Sequence, residues 1–311
     1  MFLIRKIKME NKKIIIIGAG PSGITASIYL KRAGYTPYLI ESSMPGGKLS
    51  LTYKIENYPG FDEILGSDLA FKMMDQLTKN NIDINFETVE EVEKKEDKVY
   101  VKTNINEYLT DVVIIASGTK ENKLNIKGEE EFFHKGISFC AVCDGGFYRN
   151  KPMAIIGGGN SALEEALYLE NIASPLYVIH RRKEFRGDKI VVDKIENSEN
   201  IKVLTPYIPL EFKGNDKLES LVLKNVETGE IKEVEVNGVF EYVGQSANTS
   251  FVKDKEILNE KGYVEVNEKM ETKIEGIFAI GDVINKELRQ IVTASSDGAI
   301  CSISVINYLK K

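Results

Sequence analysis

Short apolar runs punctuate this chain, and the clearest of them stop at a glycine or a charged residue. Ile14–Ile17 is four consecutive isoleucines. A run this short and this apolar reads as a strand buried on both faces of a parallel sheet. It enters Gly18-x-Gly20-x-x-Gly23, then a segment carrying Ile24, Ile28 and Leu30 at helical spacing, then a second apolar run, Tyr38–Ile40, ending at Glu41. The pattern predicts strand, tight turn, helix, strand. The same order recurs at residues 153–180, "MAIIGGGNSALEEALYLENIASPLYVIH". At an offset of 139 the two copies align without a gap: Gly18 falls on Gly157, Gly20 on Gly159, Ser22 on Ser161, Tyr29 on Tyr168 and Ile40 on Ile179. Ala162 stands at the third glycine's place. The two tyrosines suggest shared helix packing.

Other segments frame these units. "DVVIIASGTK", residues 111–120, reads as a strand ending in a small-residue turn that includes Ala116 and Gly118. Ile277–Ile280 reads as a short strand that stops at Gly281-Asp282, with a long helical pattern behind it. Residues 84–103 and 201–242 alternate apolar and polar positions in places, as antiparallel meanders do. The charged stretches 89–98 and 213–217 look like hairpin turns. The expected fold is α/β, with two Rossmann-like nucleotide-binding domains of three-layer ββα build. The second is inserted into the first, at about 120–245. Two crossings, near 118 and 246, are the hinge candidates.

The glycine spacing carries a chemistry. The first glycine of each fingerprint allows a tight turn, the second lets backbone approach a pyrophosphate, and the third lets helix and strand pack closely. The helix N-terminus then offers free N–H groups to phosphate. The two copies differ where the second strand ends. Glu41 suits a free ribose hydroxyl and repels a 2′-phosphate, so the first site is expected to hold an adenosine with unphosphorylated ribose, as in FAD. His180 occupies the matching place in the second copy, followed by Arg181, Arg182, Lys183 and Arg186. Guanidinium forks there bind a 2′-phosphate, so the second site is expected to hold NADPH. Asp282 is placed to bond a ribityl hydroxyl.

Composition narrows the classes. The chain has 311 residues, which fits about two domains, with 42% hydrophobic and 28% charged residues and a net charge of −6. That balance disfavours a nucleic-acid binder. No apolar run approaches the roughly 20 residues of a membrane span. The basic start is too short in apolar residues for a secretory signal, and Met9 is an alternative start that would make residues 1–8 a dispensable tail. Three cysteines do not make a disulfide-stapled secreted protein. Two of them, Cys140 and Cys143, form a CxxC ahead of Asp144. Zinc would require four ligands, and the chain offers only Cys301, His134 and His180 besides this pair, so no metal is expected. A two-residue loop makes a poor structural staple. Redox chemistry remains, since this spacing permits both a closed disulfide and an open dithiol. Asp144 reads either as a helix cap or as a proton shuttle. Cys301 reads as core, and His134 as a surface or capping residue.

"GAGPSG", "PGGKL" with "ENYPG", "CAVCDG", "GGGNSALEEALYL", "HRRKEFR" and "FAIGDV…RQ" occur in that order. Together they resemble the low-molecular-weight thioredoxin reductases over essentially the whole chain from about Lys12. The resemblance implies an FAD domain in two parts, 1–118 and 247–311, around an NADPH domain at 119–246. It implies a cytoplasmic homodimer that reduces thioredoxin. It places Gly18, Gly20, Pro21, Ser22, Gly23, Glu41, Gly46, Gly47, Lys48, Leu49, Asn57, Ala116, Gly118, Gly281, Asp282, Val283, Arg289, Gln290 and Ile291 near FAD. It places Gly157, Gly159, Asn160, Ser161, Glu164, His180, Arg181, Arg182 and Arg186 near NADPH. Asp144 is then catalytic beside the pair, Cys143 is the sulfur that meets the flavin, and Cys140 attacks the partner. The disulfide and NADPH share one domain yet serve one flavin, which implies rotation about the crossings. Lys48, where the family often has Gln, Ala247, where it commonly has Pro, and Ile280 depart from the pattern. The alternative functions keep this fold with another donor or acceptor: a ferredoxin-driven thioredoxin reductase, which would lack the basic cluster, or a small-molecule dithiol oxidase. A nucleotide-binding redox sensor without turnover is disfavoured by an intact CxxC beside two complete nucleotide sites.

Overall fold

The computed structural model describes residues 9–310; the suggested tail at 1–8 lies outside them. The chain forms two compact units. One comprises residues up to Lys120 together with Ser246 onward, and the other comprises Glu121–Gln245.

The first unit opens with β1 (Met9–Ile17), α1 (Pro21–Arg32) and β2 (Tyr38–Glu41). A short hairpin, β3 (Lys54–Ile55) with β4 (Ile64–Leu65), leads to α2 (Gly66–Lys79). Four strands follow: β5 (Ile84–Phe86), β6 (Val89–Lys95), β7 (Lys98–Thr103) and β8 (Glu107–Ile115). The crossing strand β9 (Thr119–Glu121) leads out of the unit.

The second unit holds α3 (Glu129–Phe132), β10 (Ile137–Ser138), α4 (Ala141–Asp144), β11 (Met153–Ile156), α5 (Asn160–Glu170), β12 (Leu176–Ile179) and α6 (Lys189–Glu196). It continues with β13 (Ile201–Leu204), β14 (Tyr207–Gly214), β15 (Leu218–Asn225), β16 (Ile231–Glu235) and β17 (Gly238–Glu241). The chain then passes through β18 (Gln245–Ala247), which pairs with β9, to β19 (Ile277–Ala279) and α7 (Ile291–Tyr308).

The isoleucine run behaves as its composition predicts. Ile14–Ile17 is buried throughout, because β1 lies between β2 and β8 in a sheet ordered β5-β2-β1-β8-β7-β6. β8 is shared along its length. Residues 107–110 pair antiparallel with β7, and residues 113–115 pair parallel with β19. In the second unit the parallel order is β10-β17-β11-β12-β13, and β14-β15-β16 form a separate antiparallel sheet. Alternation sorts the side chains. Met153, Ile155 and Val178 pack with Leu163, Ala166 and Ile195 of the helices, while Ala154, Ile156 and Ile179 pack with Phe212, Leu221 and Val234 of the meander. Strand residues one apart point to opposite faces, so one apolar sheet serves two cores.

Several sequence readings are corrected. Residues 89–98 are mostly strand β6, and only Glu96 and Asp97 turn. Charge misleads there because an edge strand exposes one face; Val92 points inward and is fully buried. Ile84–Phe86 and Ile201–Leu204 pair parallel with β2 and β12, outside any meander. Tyr29 is exposed while Tyr168 packs on the core, so the tyrosines at matching helix positions do different jobs. The same helical position meets different neighbours in the two units. Cys301 is buried in α7 and His134 is exposed, as read.

Two carboxyl groups meet inside the second unit. Glu129 accepts N–H bonds from Leu124 (3.0 Å) and Ile126 (3.2 Å). Glu241, fully buried at the end of β17, lies against it, with Lys123 farther off. Two carboxyl groups pair only through a shared proton. Burial first, then Glu129, pushes the Glu241 carboxyl from its ordinary 4.5 up to about 8. The folded state therefore holds a proton that the unfolded chain releases. Stability from this group is complete below about pH 4.5 and falls as pH rises towards 8. Glu241→Gln, which keeps a donor for Glu129, is expected to raise the melting temperature by about 3 °C or more at pH 8.5 and by much less at pH 4.5. Circular dichroism melts at the two pH values check this.

Candidate active site

In the first unit the parallel strands deliver their carboxyl ends side by side. Glu41 ends β2, Gly18 follows β1, Ala116 follows β8 and Gly281 comes two residues after β19. Gly18 has φ +110°, and a β-carbon on it would lie 2.3 Å from the Ala116 carbonyl oxygen. Only glycine fits there. A β-carbon on Gly20, by contrast, would meet no atom within 4 Å, which leaves open space in front of the first turn of α1, led by Pro21. The Glu41 carboxylate is fixed by backbone N–H groups of Ala19 (2.8 Å), Ser42 (2.8 Å) and Ser43 (2.9 Å). The Gly46–Gly47 turn reaches the same loop, with the Gly46 N–H donating to Ala19 O at 2.8 Å. This is an open, glycine-lined cradle at a helix N-terminus with a carboxylate at the end of the neighbouring strand, the kind of arrangement that holds a diphosphate and a ribose.

The far end of that cradle is polar and charged. Asp282 is half-buried, and loss of solvent raises its carboxyl above the usual range, against the opposing charges of Lys48, Lys286 and Arg289. Arg289 donates to the carbonyl oxygens of Asp282 and Ile284, both at 3.3 Å. Gln290 caps α7 and accepts from the Asn57 amide at 3.2 Å. Leu49 and Val283 are buried in the core, so their part is packing. Ser22 lies beside Gly281: a β-carbon there would be 2.5 Å from the Ser22 hydroxyl oxygen. Gly118 and Ile291 sit where the crossing and α7 begin.

The second unit repeats the device. In order along the sheet, β10, β17, β11 and β12 deliver Cys140 (two residues on), Tyr242, Gly157 and His180 at their carboxyl ends. His180 is buried. Burial and the neighbouring Arg186, Arg181 and Arg182 all push its pKa below the usual range, so the imidazole is neutral at neutral pH. A β-carbon on Gly158 would lie 2.4 Å from the imidazole Nδ1, so the glycine loop and His180 pack as one piece. Phe185 stacks on His180 at 5.7 Å between ring centroids, and Arg186 N donates to Gly158 O at 2.7 Å. Arg182 to Arg186 line a shallow recess. The Asn160 side chain accepts from Asp188 N at 2.6 Å and so anchors the basic loop to the start of α5. Gly159, Ser161 and Glu164 stand in that loop and on the exposed side of α5.

Cys140 and Cys143 are joined as a disulfide, with Cα atoms 5.4 Å apart. Cys140 caps α4, its sulfur accepting from Cys143 N at 3.2 Å. Asp144 ends α4 and stands at the N-cap position of the 3-10 turn Gly145–Tyr148, but its side chain makes no capping hydrogen bond there, so the capping reading fails. Cys143 is exposed and Cys140 half-buried.

A family model described as pyridine nucleotide-disulphide oxidoreductase matches residues 12–298. The chain belongs to this family. The thioredoxin reductase of Bacillus subtilis is 41% identical over 308 residues, covering 97% of each chain. The solved Lactococcus lactis thioredoxin reductase has a TM-score of 0.94 at 40% identity, covering 96% of this chain and 99% of its own. A ferredoxin-flavin thioredoxin reductase from Clostridium acetobutylicum is less similar, with a TM-score of 0.55 at 29% identity over 97% and 99% of the two chains. Membership implies that this oxidoreductase uses a flavin and a pyridine nucleotide.

The oxidoreductase also places one residue that sequence reading missed. Asp297, buried in α7, accepts from Gly281 N at 3.0 Å and pairs with Lys286 at 2.5 Å. It holds the turn that carries Asp282. The only signal in the sequence is an acid inside an otherwise apolar helical pattern. Removing it strands a buried N–H, which costs about 1–3 kcal/mol. Asp297→Leu is expected to weaken flavin retention about tenfold, while Asp297→Asn, which keeps an acceptor for Gly281, recovers much of it. Flavin absorbance remaining after dialysis measures both.

Proposed function

We propose that this protein is a thioredoxin-disulfide reductase that binds FAD in the first unit and NADPH in the second. The observation that supports this most directly is the second unit's row of strand ends: a disulfide and a glycine loop with a basic segment beside it stand at the same edge of one sheet. The bound flavin would accept a hydride equivalent from NADPH and release an electron pair to the disulfide. The chain's own groups do the rest. Glu41 would accept hydrogen bonds from an unphosphorylated ribose. Arg181, Arg182 and Arg186, around a neutral His180, would hold the 2′-phosphate that marks NADPH. A ferredoxin-driven enzyme would have no use for that basic loop.

At the disulfide, the Cys140 thiolate would attack the partner's disulfide sulfur and form a mixed disulfide. Cys143 would then displace it, closing Cys140–Cys143 and releasing the partner as a dithiol. Asp144, next to Cys143, would take up and return the proton that the thiols exchange. The flavin residues belong to one unit and the disulfide and nucleotide residues to the other. Serving one flavin in turn would require the second unit to rotate about the crossings near 118 and 246. Gly118 (φ +64°) and Gly244 (φ +111°) lie at these crossings in conformations that suit such a hinge. The active species would be a homodimer in the cytoplasm. No helix among the described residues is long and apolar enough to cross a membrane.

Two variants separate the parts of this proposal. Arg181→Ala removes a charge-assisted bond of about 1.5–3 kcal/mol. It is expected to raise KM for NADPH about tenfold or more and leave KM for NADH nearly unchanged, by steady-state kinetics with both donors; equal rises sink the phosphate assignment. Cys140→Ser is expected to keep flavin bleaching by NADPH in anaerobic stopped flow while thioredoxin reduction falls about a thousandfold. Persistent thioredoxin turnover by that variant excludes the cycle.

A further inference from the structure

Two successive backbone N–H groups at the disulfide end on side-chain hydroxyls. Cys140 N donates to Ser138 Oγ at 3.0 Å, and Ala141 N donates to Tyr242 Oη at 3.3 Å. The two hydroxyls have different origins. Ser138 closes β10 and is a local neighbour. Tyr242 is 101 residues away from Ala141, just past the end of β17. Ala141 is fully buried, so its N–H has no water as a ready substitute for the Tyr242 hydroxyl; the acceptor Ser138 is nearly buried as well.

Tyr242 is itself pinned. Its N–H donates to Ile156 O at 2.7 Å, and its carbonyl oxygen would be 2.8 Å from a β-carbon on Gly157. The ring packs with the helix-side core of the unit. Burial, aided by the Glu165 carboxylate, pushes its phenol far above the usual range, so the group is a neutral hydroxyl at any working pH. Backbone and side chain thus tie the first glycine of the nucleotide loop to the residue after Cys140.

We propose that Tyr242, with Ser138, is a positioning residue of the redox couple: the two hydroxyls hold the Cys140 segment in the place where its sulfur meets that of Cys143, and so set how easily the disulfide is reduced. The proposal rests on the reading of Cys140–Cys143 as the redox pair. Its physical basis is preorganisation. In the dithiol, a tethered Cys140 segment has less freedom to lose when the ring closes, which favours the disulfide. Cutting a tether gives that freedom back to the dithiol and makes the couple more oxidising.

The test uses the full-length, flavin-loaded protein at equilibrium with dithiothreitol of known oxidised-to-reduced ratio, under anaerobic conditions. Two dithiothreitol thiols lose two electrons and two protons and close their ring. The Cys140–Cys143 bond breaks, and each sulfur gains a proton. Acid quench, alkylation and mass measurement give the fraction of dithiol. Tyr242→Phe keeps the ring and removes only the hydroxyl. It is expected to lower the constant for disulfide formation about five- to tenfold, where tenfold corresponds to 29.6 mV. Ser138→Ala is expected to shift it in the same direction, and it carries the test if Tyr242→Phe melts early. A constant within twofold of the parent for both variants overturns the proposal, whatever happens to the melting temperature. Failure of the proposed function has another signature: a parent that does not reduce thioredoxin while the dithiothreitol constants still shift.

Discussion

Both halves of the chemistry depend on one constraint: neighbouring parallel strands end on the same edge. A parallel sheet leaves its carboxyl ends side by side, and the loops leaving them must share that edge. In the first unit this brings Glu41, Gly18, Ala116 and Gly281 into a row from segments far apart in the chain. In the second it aligns Cys140, Tyr242, Gly157 and His180. The crowding that results is severe. The absence of a β-carbon at Gly18, facing the Ala116 carbonyl, is what lets the strand ends approach closely enough to leave a diphosphate cradle in front of Gly20.

The same edge explains how charge is managed. The Glu41 carboxylate is stabilised by three backbone N–H groups, so it remains an acceptor at the end of β2 without a cationic partner among those bonds. His180, at the matching end in the second unit, is buried among arginines and stays neutral, which leaves the guanidinium groups to supply the positive field. Asp282 is half-buried among three cations and one acid, Asp297. For His180 and Asp282, protonation follows from what the sheet edge places beside them, not from residue type alone.

The two strand–turn–helix units were legible because their signals are local. Glycine spacing, the flanking apolar runs and the residue that ends the second strand all lie within about 30 residues. The Tyr242 hydroxyl at the disulfide was not legible, because Tyr242 meets Ala141 only through the pairing of β10, β17 and β11. Asp297 was hidden for the same reason: its partner Gly281 lies in the turn after β19, on another element. Charge density misled at residues 89–98, where an edge strand wears its charges on one face.

The sequence by itself determined the two glycine fingerprints, the contrast between Glu41 and His180 with its arginines, and the two-residue spacing of the sulfurs. Each is a property of a short segment, governed by backbone sterics and by the chemistry of adjacent residues. Only the tertiary structure decided which strand ends stand together, which carboxyl groups share a proton, and which hydroxyls hold Cys140. The contacts of Glu241 with Glu129 and of Tyr242 with Ala141 join segments a hundred or more residues apart, and no local pattern encodes the distance between them.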